Sequence, residues 1–203
     1  YADYSVGGLA RAHNGNLTNA RILHKDLVNR GSLCQSTSDT EVFQHLIATS
    51  SGARLLDRVV ETLREVEGAY SLVALSRRKL IGARDPVGVR PLVLGSLGDA
   101  WIITSETCAL DIIGAEFVRD VEPGEIVVID ENGLHSHKPF PPLHKRFCIF
   151  EYIYFARPDS SVDGRNVYEA RKAIGAELAR ESMVEADIVV PVPDSGVPAA
   201  IGF

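Results

Sequence analysis

The periodicity of apolar residues changes at Ala69, and this change constrains the fold more than any other feature of the sequence. Before it, apolar residues recur at helical spacing. After it come short runs rich in β-branched residues, separated by turn formers. Links as short as Ser76-Arg77-Arg78 require antiparallel pairing, because a parallel crossover needs about a dozen residues. Helices clustered before strands predict a layered α+β domain rather than alternating βαβ units.

Three helices are predicted before this point. Asn16 or Thr18 caps the first, which ends at Gly31; a capping box of Ser38 and Glu41 opens the second. The third runs from about residue 55 to 66. The apolar stripes of the first two helices are Ile22, Leu23, Leu27 and Val28, and Val42, Phe43, Leu46 and Ile47.

The strands and the domain boundary follow from turn residues. The predicted strands are Val6–His13, Tyr70–Leu75, Lys79–Ala83, Pro91–Leu94, Trp101–Thr104 and Glu125–Ile129, with a short helix near 107–113. Residues 138–147 contain three prolines and three basic residues, which predicts a boundary between domains at 1–140 and 147–203.

Beyond this boundary, a helix over Val167–Met183 carries Ala170, Ile174 and Leu178 on one face. The apolar run Asp187–Val192 then predicts a buried parallel strand that ends in a phosphate-binding type of loop.

Composition narrows the partners and the compartment. A net charge of −6 disfavours non-specific binding to nucleic acid or anionic lipid. No apolar run approaches the ~18 residues of a membrane helix. Cys34, Cys108 and Cys148 are odd in number and irregularly spaced, so no disulfide framework is implied and a reducing, cytoplasmic setting is the default.

His13-Asn14-Gly15-Asn16 is the first candidate site. Asn-Gly is typical of a β-hairpin turn, but a capped helix is predicted to follow it rather than a second strand. A strand-to-helix corner would present the Asn14 amide and the Gly15 N–H in one direction. Paired donors of this kind stabilise a developing oxyanion, and losing one costs about 100- to 1,000-fold in rate. Both interpretations stay open from the residues alone.

Asp39 and the segment 84–91 also admit two interpretations. Asp39 either stabilises the dipole of its own helix as a first-turn acid or receives the ammonium group of a ligand. Arg84, Asp85 and Arg90 are interpreted as a structural corner between strands, with direct ligand binding as the alternative. Ser195 lies in Pro-Asp-Ser-Gly, which is typical of a turn.

Eight motifs carry a resemblance to a known family. In order they are HNGNLTN, STSDTEV, GAYSLV, ARDPVGVRPLVLG, SETCALD, GAEFVRDVEPGE, CIFEYIYFARPDS and VPVPDSG. Together they resemble the amidophosphoribosyltransferases over essentially all 203 residues. The first motifs are shared with other class II glutamine amidotransferases, whereas the last two narrow the resemblance to this one family.

The resemblance implies a fold and a reaction. The fold is an incomplete four-layer αββα N-terminal-nucleophile glutaminase sandwich, followed by the start of an α/β phosphoribosyltransferase domain. The reaction transfers ammonia from glutamine to phosphoribosyl pyrophosphate, giving 5-phosphoribosylamine, glutamate and pyrophosphate in the first committed step of purine synthesis. Purine nucleotides as feedback inhibitors, a homo-oligomer and a cytoplasmic location are further implications.

The resemblance also implies roles for individual residues of the glutaminase site. Asn14 and Gly15 match the oxyanion hole, and Asp39 matches the residue that holds the glutamine amino group. The family's nucleophile, an N-terminal Cys, and the Arg that binds the glutamine carboxylate would lie upstream of Tyr1. The 203-residue chain by itself is therefore expected to be inactive.

Two further implications concern metals. Ser195 matches the residue that contacts the Mg²⁺ accompanying phosphoribosyl pyrophosphate. Cys148 is either an inert, half-buried thiol or one ligand of a 4Fe-4S cluster. Two other functions are kept open: another class II glutamine amidotransferase, and a non-catalytic regulatory module with the same shell.

Overall fold

In the computed structural model, which describes residues 2–4 and 7–203, the predicted sequence of helices followed by antiparallel strands is confirmed. The strands are β1 (Ala2–Tyr4), β2 (Gly7–Leu17), β3 (Gly68–Ser76), β4 (Leu80–Arg84), β5 (Val93–Leu97), β6 (Ala100–Thr104), β7 (Glu116–Asp120), β8 (Ile126–Asp130), β9 (Gly133–His137), β10 (Ser161–Val162) and β11 (Arg165–Asn166). The helices are α1 (Ala20–Asn29), α2 (Asp39–Thr49), α3 (Leu55–Glu65), α4 (Cys108–Ile113), α5 (Val167–Glu181) and α6 (Gly196–Gly202), with a π-helical turn at Glu151–Phe155.

The chain divides into two units. The first comprises Tyr1–Leu92 and Val121–Phe147, and the second comprises Val93–Asp120 and Cys148–Phe203. The division into domains at 1–140 and 147–203, predicted from the prolines and basic residues of 138–147, stays a prediction.

A six-stranded antiparallel sheet forms the frame of the first unit. Its strand order is β1-β2-β3-β4-β8-β9. β2 and β3 pair along their full length, from Leu9 opposite Ser76 to Leu17 opposite Gly68. All these pairings are antiparallel, as the short links between strands predict.

The core of the first unit lies between one face of this sheet and helices α1 to α3. Leu72, Ile81 and Ile126 point from successive strands into the same cluster as Phe43 of α2 and Val59 of α3. Each side chain of this size contributes about 1.5–3 kcal/mol when it leaves water. The predicted stripe of α2 is confirmed in full, because Val42, Phe43, Leu46 and Ile47 are all buried.

The apolar stripe predicted for helix α1 is only partly buried. Leu23 and Leu27 pack on the core, but Ile22 and Val28 are 73% and 47% exposed. Neither Asn16 nor Thr18 is the capping residue, because the position before the helix is Asn19. The Asn19 side chain instead exchanges hydrogen bonds with the backbone of Glu65 and Glu67.

The start of α2 is only partly as predicted. Ser38 is the N-cap, and its hydroxyl accepts a hydrogen bond from the Thr40 N–H. The prediction that the Glu41 side chain accepts a hydrogen bond from the Ser38 N–H, as in a capping box, is wrong. Glu41 accepts hydrogen bonds from the backbone N–H groups of Gln35 and Ser36, which holds the preceding loop against the helix.

Strand β2 is longer than predicted. It continues beyond His13 to Leu17, so Asn14 and Gly15 lie inside a paired strand and not at a strand-to-helix corner. Asn14 and Gly15 individually favour turns, but pairing with β3 holds both in an extended conformation. Strand β5 is shifted towards the C-terminus from the predicted Pro91–Leu94, and β1, β7 and β9 were not predicted.

The second unit contains a three-stranded antiparallel sheet of order β6-β5-β7, the short β10–β11 pair and helices α4 to α6. Helix α5 matches its prediction and buries Ala170, whereas Ile174 and Leu178 are 45% and 51% exposed. The prediction of a strand over Asp187–Val192 is wrong. A strand needs a neighbour to satisfy its N–H and C=O groups, and residues 187–192 pair with no strand in the described part of the chain.

Across residues 2–4 and 7–203, every helix is too short or too polar to cross a lipid bilayer.

Candidate active site

Gly15 lies where β2 passes very close to β3. A Cβ added to Gly15 would lie 2.0 Å from the Ala69 carbonyl oxygen, and the Gly15 φ is +154°. Only glycine fits such an approach without displacing backbone. The glycine is therefore required by the pairing of the two strands.

The Gly15 N–H points out of this pairing. Tyr70, which lies opposite Gly15, exchanges hydrogen bonds with Asp85, whose N–H donates to the Tyr70 carbonyl at 2.9 Å and whose Oδ2 accepts from the Tyr70 N–H at 3.3 Å. Gly15 and Tyr70 are thus a non-hydrogen-bonded pair, in which both N–H groups point away from the partner strand. The Gly15 N–H faces the same edge of the sheet as the Leu17 N–H, two residues along.

Asn14 carries its side chain on the other side of the sheet from the core helices. Its Oδ1 accepts two hydrogen bonds from Arg90, from Nε at 3.2 Å and from Nη2 at 2.9 Å. A guanidinium group only donates hydrogen bonds, so the amide oxygen must face Arg90 and the amide nitrogen must face away from it.

The loop that carries Arg90 is held by two buried charged residues. The Arg84 side chain is 2% exposed and donates to the carbonyls of Arg90, Val121 and Gly88 at 2.7, 2.8 and 3.2 Å. Asp85 is fully buried and accepts hydrogen bonds from backbone N–H groups on both sides of the corner. The predicted structural role of Arg84 and Asp85 is confirmed by these contacts.

Asp39 is the first residue of α2 and meets the end of β2. Its Oδ2 accepts a hydrogen bond from the Leu17 N–H at 3.1 Å, and its Oδ1 lies 3.4 Å from Nδ1 of His13. A cavity of about 480 Å³ opens here, and its lining includes both Gly15 and Asp39. The structure therefore brings together two residues that are 24 positions apart in the sequence.

His13 lies beneath this carboxylate. Its side chain is 2% exposed and packs edge-on against Phe43 at a ring distance of 5.1 Å. Burial lowers the pKa of His13, and the nearby Asp39 carboxylate only partly opposes this shift. A neutral imidazole is the form that this packing favours.

A larger cavity of about 820 Å³ contains none of the predicted site residues. It lies elsewhere in the first unit, and its lining includes Arg77, Arg78 and Lys79. Cavity size alone thus does not identify the site. The smaller cavity has a carboxylate and an outward-facing backbone N–H at one place, which is the more specific chemistry.

The candidate metal-binding residues lie in the second unit. Ser195 is the residue before α6, and Asp194 beside it is exposed, so two oxygen-bearing side chains adjoin at this turn. Oxygen donors suit Mg²⁺. Cys148 is a half-buried free thiol. Among the described residues no group of three or more His, Cys, Asp or Glu side chains is placed to hold a metal ion.

Two residues of the site were missed by sequence reasoning. Arg90 was considered as part of a corner or as a direct ligand contact, but not as a partner of Asn14, and His13 only as a neighbour of Asn14. A charged residue in a glycine- and proline-rich loop is a weak signal, because its partner Asn14 lies 76 positions away. The alternation of side chains along β2 places His13 on the face of the sheet opposite to Asn14.

Comparison with known proteins gives consistent matches. Residues 3–111 match the family profile described as glutamine amidotransferase domain. The chain is 55% identical over 208 residues to an amidophosphoribosyltransferase of Rhizobium etli, covering 100% of this chain and 42% of that protein. It is 49% identical over 197 residues to the amidophosphoribosyltransferase of Bacillus subtilis, covering 97% of this chain and 41% of that protein.

Solved structures show the same fold. The glutamine phosphoribosylpyrophosphate amidotransferase of Bacillus subtilis, solved with ADP and GMP, superposes with a TM-score of 0.94 at 48% identity, over 100% of this chain and 44% of that one. A structure described as the allosteric regulatory enzyme of purine biosynthesis gives a TM-score of 0.91 at 49% identity, over 96% of this chain and 42% of that one. The chain spans about 42% of the length of the Rhizobium etli amidophosphoribosyltransferase.

Proposed function

Because the chain belongs to the glutamine amidotransferase domain family, we propose that it forms part of the glutaminase site and the start of the ribose-phosphate site of an amidophosphoribosyltransferase. In this proposal the whole protein transfers ammonia from glutamine to phosphoribosyl pyrophosphate. The products are 5-phosphoribosylamine, glutamate and pyrophosphate. The observation that carries the proposal is that Asp39 and Gly15 line the same cavity. The Gly15 N–H is directed away from β3, and the Asp39 carboxylate is held by the Leu17 N–H.

Gly15, which lines this cavity, and the neighbouring Asn14 have one step in the proposed reaction. A cysteine thiolate upstream of Tyr1 attacks the carboxamide carbon of glutamine, and negative charge develops on the oxygen. The Gly15 N–H and the Asn14 amide nitrogen donate hydrogen bonds to that oxygen. Ammonia leaves as a thioester forms, and water then releases glutamate.

Asp39 selects the substrate rather than reacting with it. Its carboxylate is aimed by the Leu17 N–H at 3.1 Å. Asp39 also lines the cavity, where its carboxylate would accept the α-ammonium group of glutamine. An ion pair of this kind distinguishes an amino acid from free ammonia or a simple amide.

The second half of the reaction belongs to the second unit. Released ammonia displaces pyrophosphate from C1 of phosphoribosyl pyrophosphate. Ser195 would contribute an oxygen ligand to the Mg²⁺ that neutralises the pyrophosphate charge, and the adjoining Asp194 suits the same cation. A 4Fe-4S cluster at Cys148 needs three further ligands, and the described residues bring no three His, Cys, Asp or Glu side chains together, so those ligands would come from outside these 203 residues.

Regulation and assembly complete the proposal. The Bacillus subtilis relative was solved in complex with ADP and GMP, which supports purine nucleotides as ligands of this protein, and feedback inhibition by them is part of the proposal. A cytoplasmic homo-oligomer is the corresponding expectation for location and assembly.

Glutamine hydrolysis by the full-length protein, with and without phosphoribosyl pyrophosphate, tests the proposal. Hydrolysis that rises on adding the sugar phosphate, together with release of pyrophosphate, is the expected result. Hydrolysis that ignores the sugar phosphate would indicate another class II amidotransferase. Absence of hydrolysis under all conditions would favour a non-catalytic module.

A further inference from the structure

We propose that Arg90 is a positioning residue for the oxyanion hole: it fixes the orientation of the Asn14 amide so that the nitrogen, and not the oxygen, faces the reacting carbonyl. This inference rests on the proposed glutaminase function. It adds a residue from a distant loop to a site that otherwise consists of β2 and the start of α2.

Two donors of Arg90 converge on one acceptor atom, and this contact allows one orientation of the amide. Arg90 Nε and Nη2 lie 3.2 and 2.9 Å from the Asn14 Oδ1. An asparagine amide has an acceptor end and a donor end of nearly the same shape, and rotating it by half a turn exchanges them. In the rotated form Arg90 would face an NH₂ group, and both charge-assisted hydrogen bonds would be lost.

The orientation decides whether Asn14 aids or opposes catalysis. With the oxygen held by Arg90, the amide nitrogen is directed away from the guanidinium, as a donor to an oxyanion must be. With the amide reversed, a carbonyl oxygen would face the developing negative charge and repel it. Hydrogen bonds to Oδ1 also polarise the amide, so its N–H groups become stronger donors.

Arg90 is itself held at a fixed distance from Asn14. The single proton of the Ser71 hydroxyl is shared between the Pro91 carbonyl at 2.9 Å and the Arg90 carbonyl at 3.3 Å. Ser71 is also the residue of β3 that lies opposite Asn14 in the β2–β3 register. The backbones of Asn14 and Arg90 are thus attached to the same residue, and Arg84 secures the Arg90 carbonyl from its other side at 2.7 Å.

Lysine would not reproduce this arrangement. Its ammonium group is a point charge on a flexible stem and does not hold two donors fixed in one plane towards the same oxygen. The proposal therefore predicts that charge alone at position 90 is insufficient. A structural role for Arg90, by contrast, would depend mainly on the packing of its aliphatic stem and on its charge, both of which lysine keeps.

The test uses Arg90→Ala and Arg90→Lys in the full-length protein, with Arg78→Ala at an exposed site as the matched control. Steady-state kinetics with glutamine and with free ammonia are measured for each. We expect both Arg90 variants to lower kcat for glutamine hydrolysis about 10- to 100-fold. KM for glutamine should stay within about threefold, and ammonia-dependent synthesis should be retained.

Two further measurements separate positioning from folding. Guanidinium added to Arg90→Ala is expected to restore part of the lost kcat, which a misfolded variant would not show. In the double variant Asn14→Ala, Arg90→Ala, the second change should cost little, because the two residues act as a unit. Full additivity of the two losses would overturn the proposal.

The remaining outcomes are equally decisive. A raised KM with unchanged kcat in Arg90→Lys would show that Arg90 binds glutamine directly, and full activity of that variant would show that charge suffices; either result rejects the proposal. Equal loss of glutamine- and ammonia-dependent activity in both variants would also reject it in favour of a structural role. If the wild-type protein hydrolyses no glutamine, the proposed function itself fails, which is a distinguishable result.

Discussion

His13 and Asp39 meet across the boundary between a strand and a helix, with Nδ1 of the imidazole 3.4 Å from Oδ1 of the carboxylate. The other carboxylate oxygen is held by the Leu17 N–H at 3.1 Å. The carboxylate is therefore fixed by the backbone on one side and backed by a buried ring on the other.

Replacing Asp39 with asparagine removes the negative charge and keeps the shape. We expect KM for glutamine to rise about 30-fold or more, because a desolvated ion pair with the α-ammonium group is lost. Activity with free ammonia should be unchanged. Asp26→Asn on the exposed face of α1 is the control. If Asp39→Asn impaired glutamine and ammonia equally, the role assigned to Asp39 would be wrong.

The buried His13 makes stability sensitive to acid. Burial lowers its pKa in the folded state, whereas the unfolded chain has an ordinary value near ~6.5. The unfolded state therefore binds the proton more readily, and folding stability should decrease as the pH falls below about 6.5. Above that pH the ring is neutral in both states and the effect vanishes.

Urea unfolding at pH 8 and pH 5.5 measures this effect. His13→Asn should lose less stability than the wild type between the two values, because the titrating ring is gone. His144→Asn, at an exposed position, should behave like the wild type. An identical loss in wild type and His13→Asn would contradict the prediction.

Gly15→Ala is expected to destabilise the protein by about 2–4 kcal/mol, the sum of overpacking and backbone strain. The new Cβ would lie 2.0 Å from the Ala69 carbonyl oxygen. Gly31→Ala is a useful comparison, since its φ is +91° but nothing lies within 4 Å of its Cβ position. It should cost only the strain, about 1–2 kcal/mol. Equal losses in the two variants would argue against the close approach at Gly15.

Arg84→Met should cost about 3 kcal/mol or more, because two buried carbonyl groups and one half-buried carbonyl group each lose a hydrogen bond. The three acceptors are those of Arg90, Val121 and Gly88. Arg78→Met, at an exposed position, should change the free energy of unfolding by no more than about 0.5 kcal/mol. Chemical denaturation of both variants provides the measurement, and a small effect at Arg84 would mean that water replaces its hydrogen bonds.

Ser195→Ala tests the proposed magnesium contact. The Mg²⁺ concentration for half-maximal synthesis should rise about 10-fold, while saturating Mg²⁺ restores much of the rate. Ser182→Ala, at the exposed end of α5, should leave the Mg²⁺ dependence unaltered. The same outcome for Ser195→Ala would remove Ser195 from the metal site.

The antiparallel α+β fold could be predicted because its signals are local. The stripe of α2 and the short links between strands each depend on neighbouring residues, and both are confirmed. The length of β2 could not be predicted, because Asn14 and Gly15 individually favour turns and only the register with β3 keeps them extended. The run Asp187–Val192 failed for the converse reason: its residues favour a strand, but a strand exists only with a partner.

The site shows the same division. Gly15 and Asp39 were assigned by resemblance, and the structure places both at one cavity. The contact between Arg90 and Asn14 joins residues 76 positions apart and leaves no periodic signal in either segment. Such a pair becomes visible only when the loop after β4 is seen against β2.

Because the Gly15 N–H points away from β3, its rate of hydrogen exchange should report on ligand binding at the oxyanion hole. Amides locked in the β2–β3 ladder exchange with deuterium only when the sheet opens, but the Gly15 N–H takes no part in that ladder and Gly15 itself is exposed. In the absence of ligand it should exchange early. A bound oxyanion mimic would slow exchange at this single site, so the arrival of a ligand at the donor could be followed at one residue without enzymatic turnover.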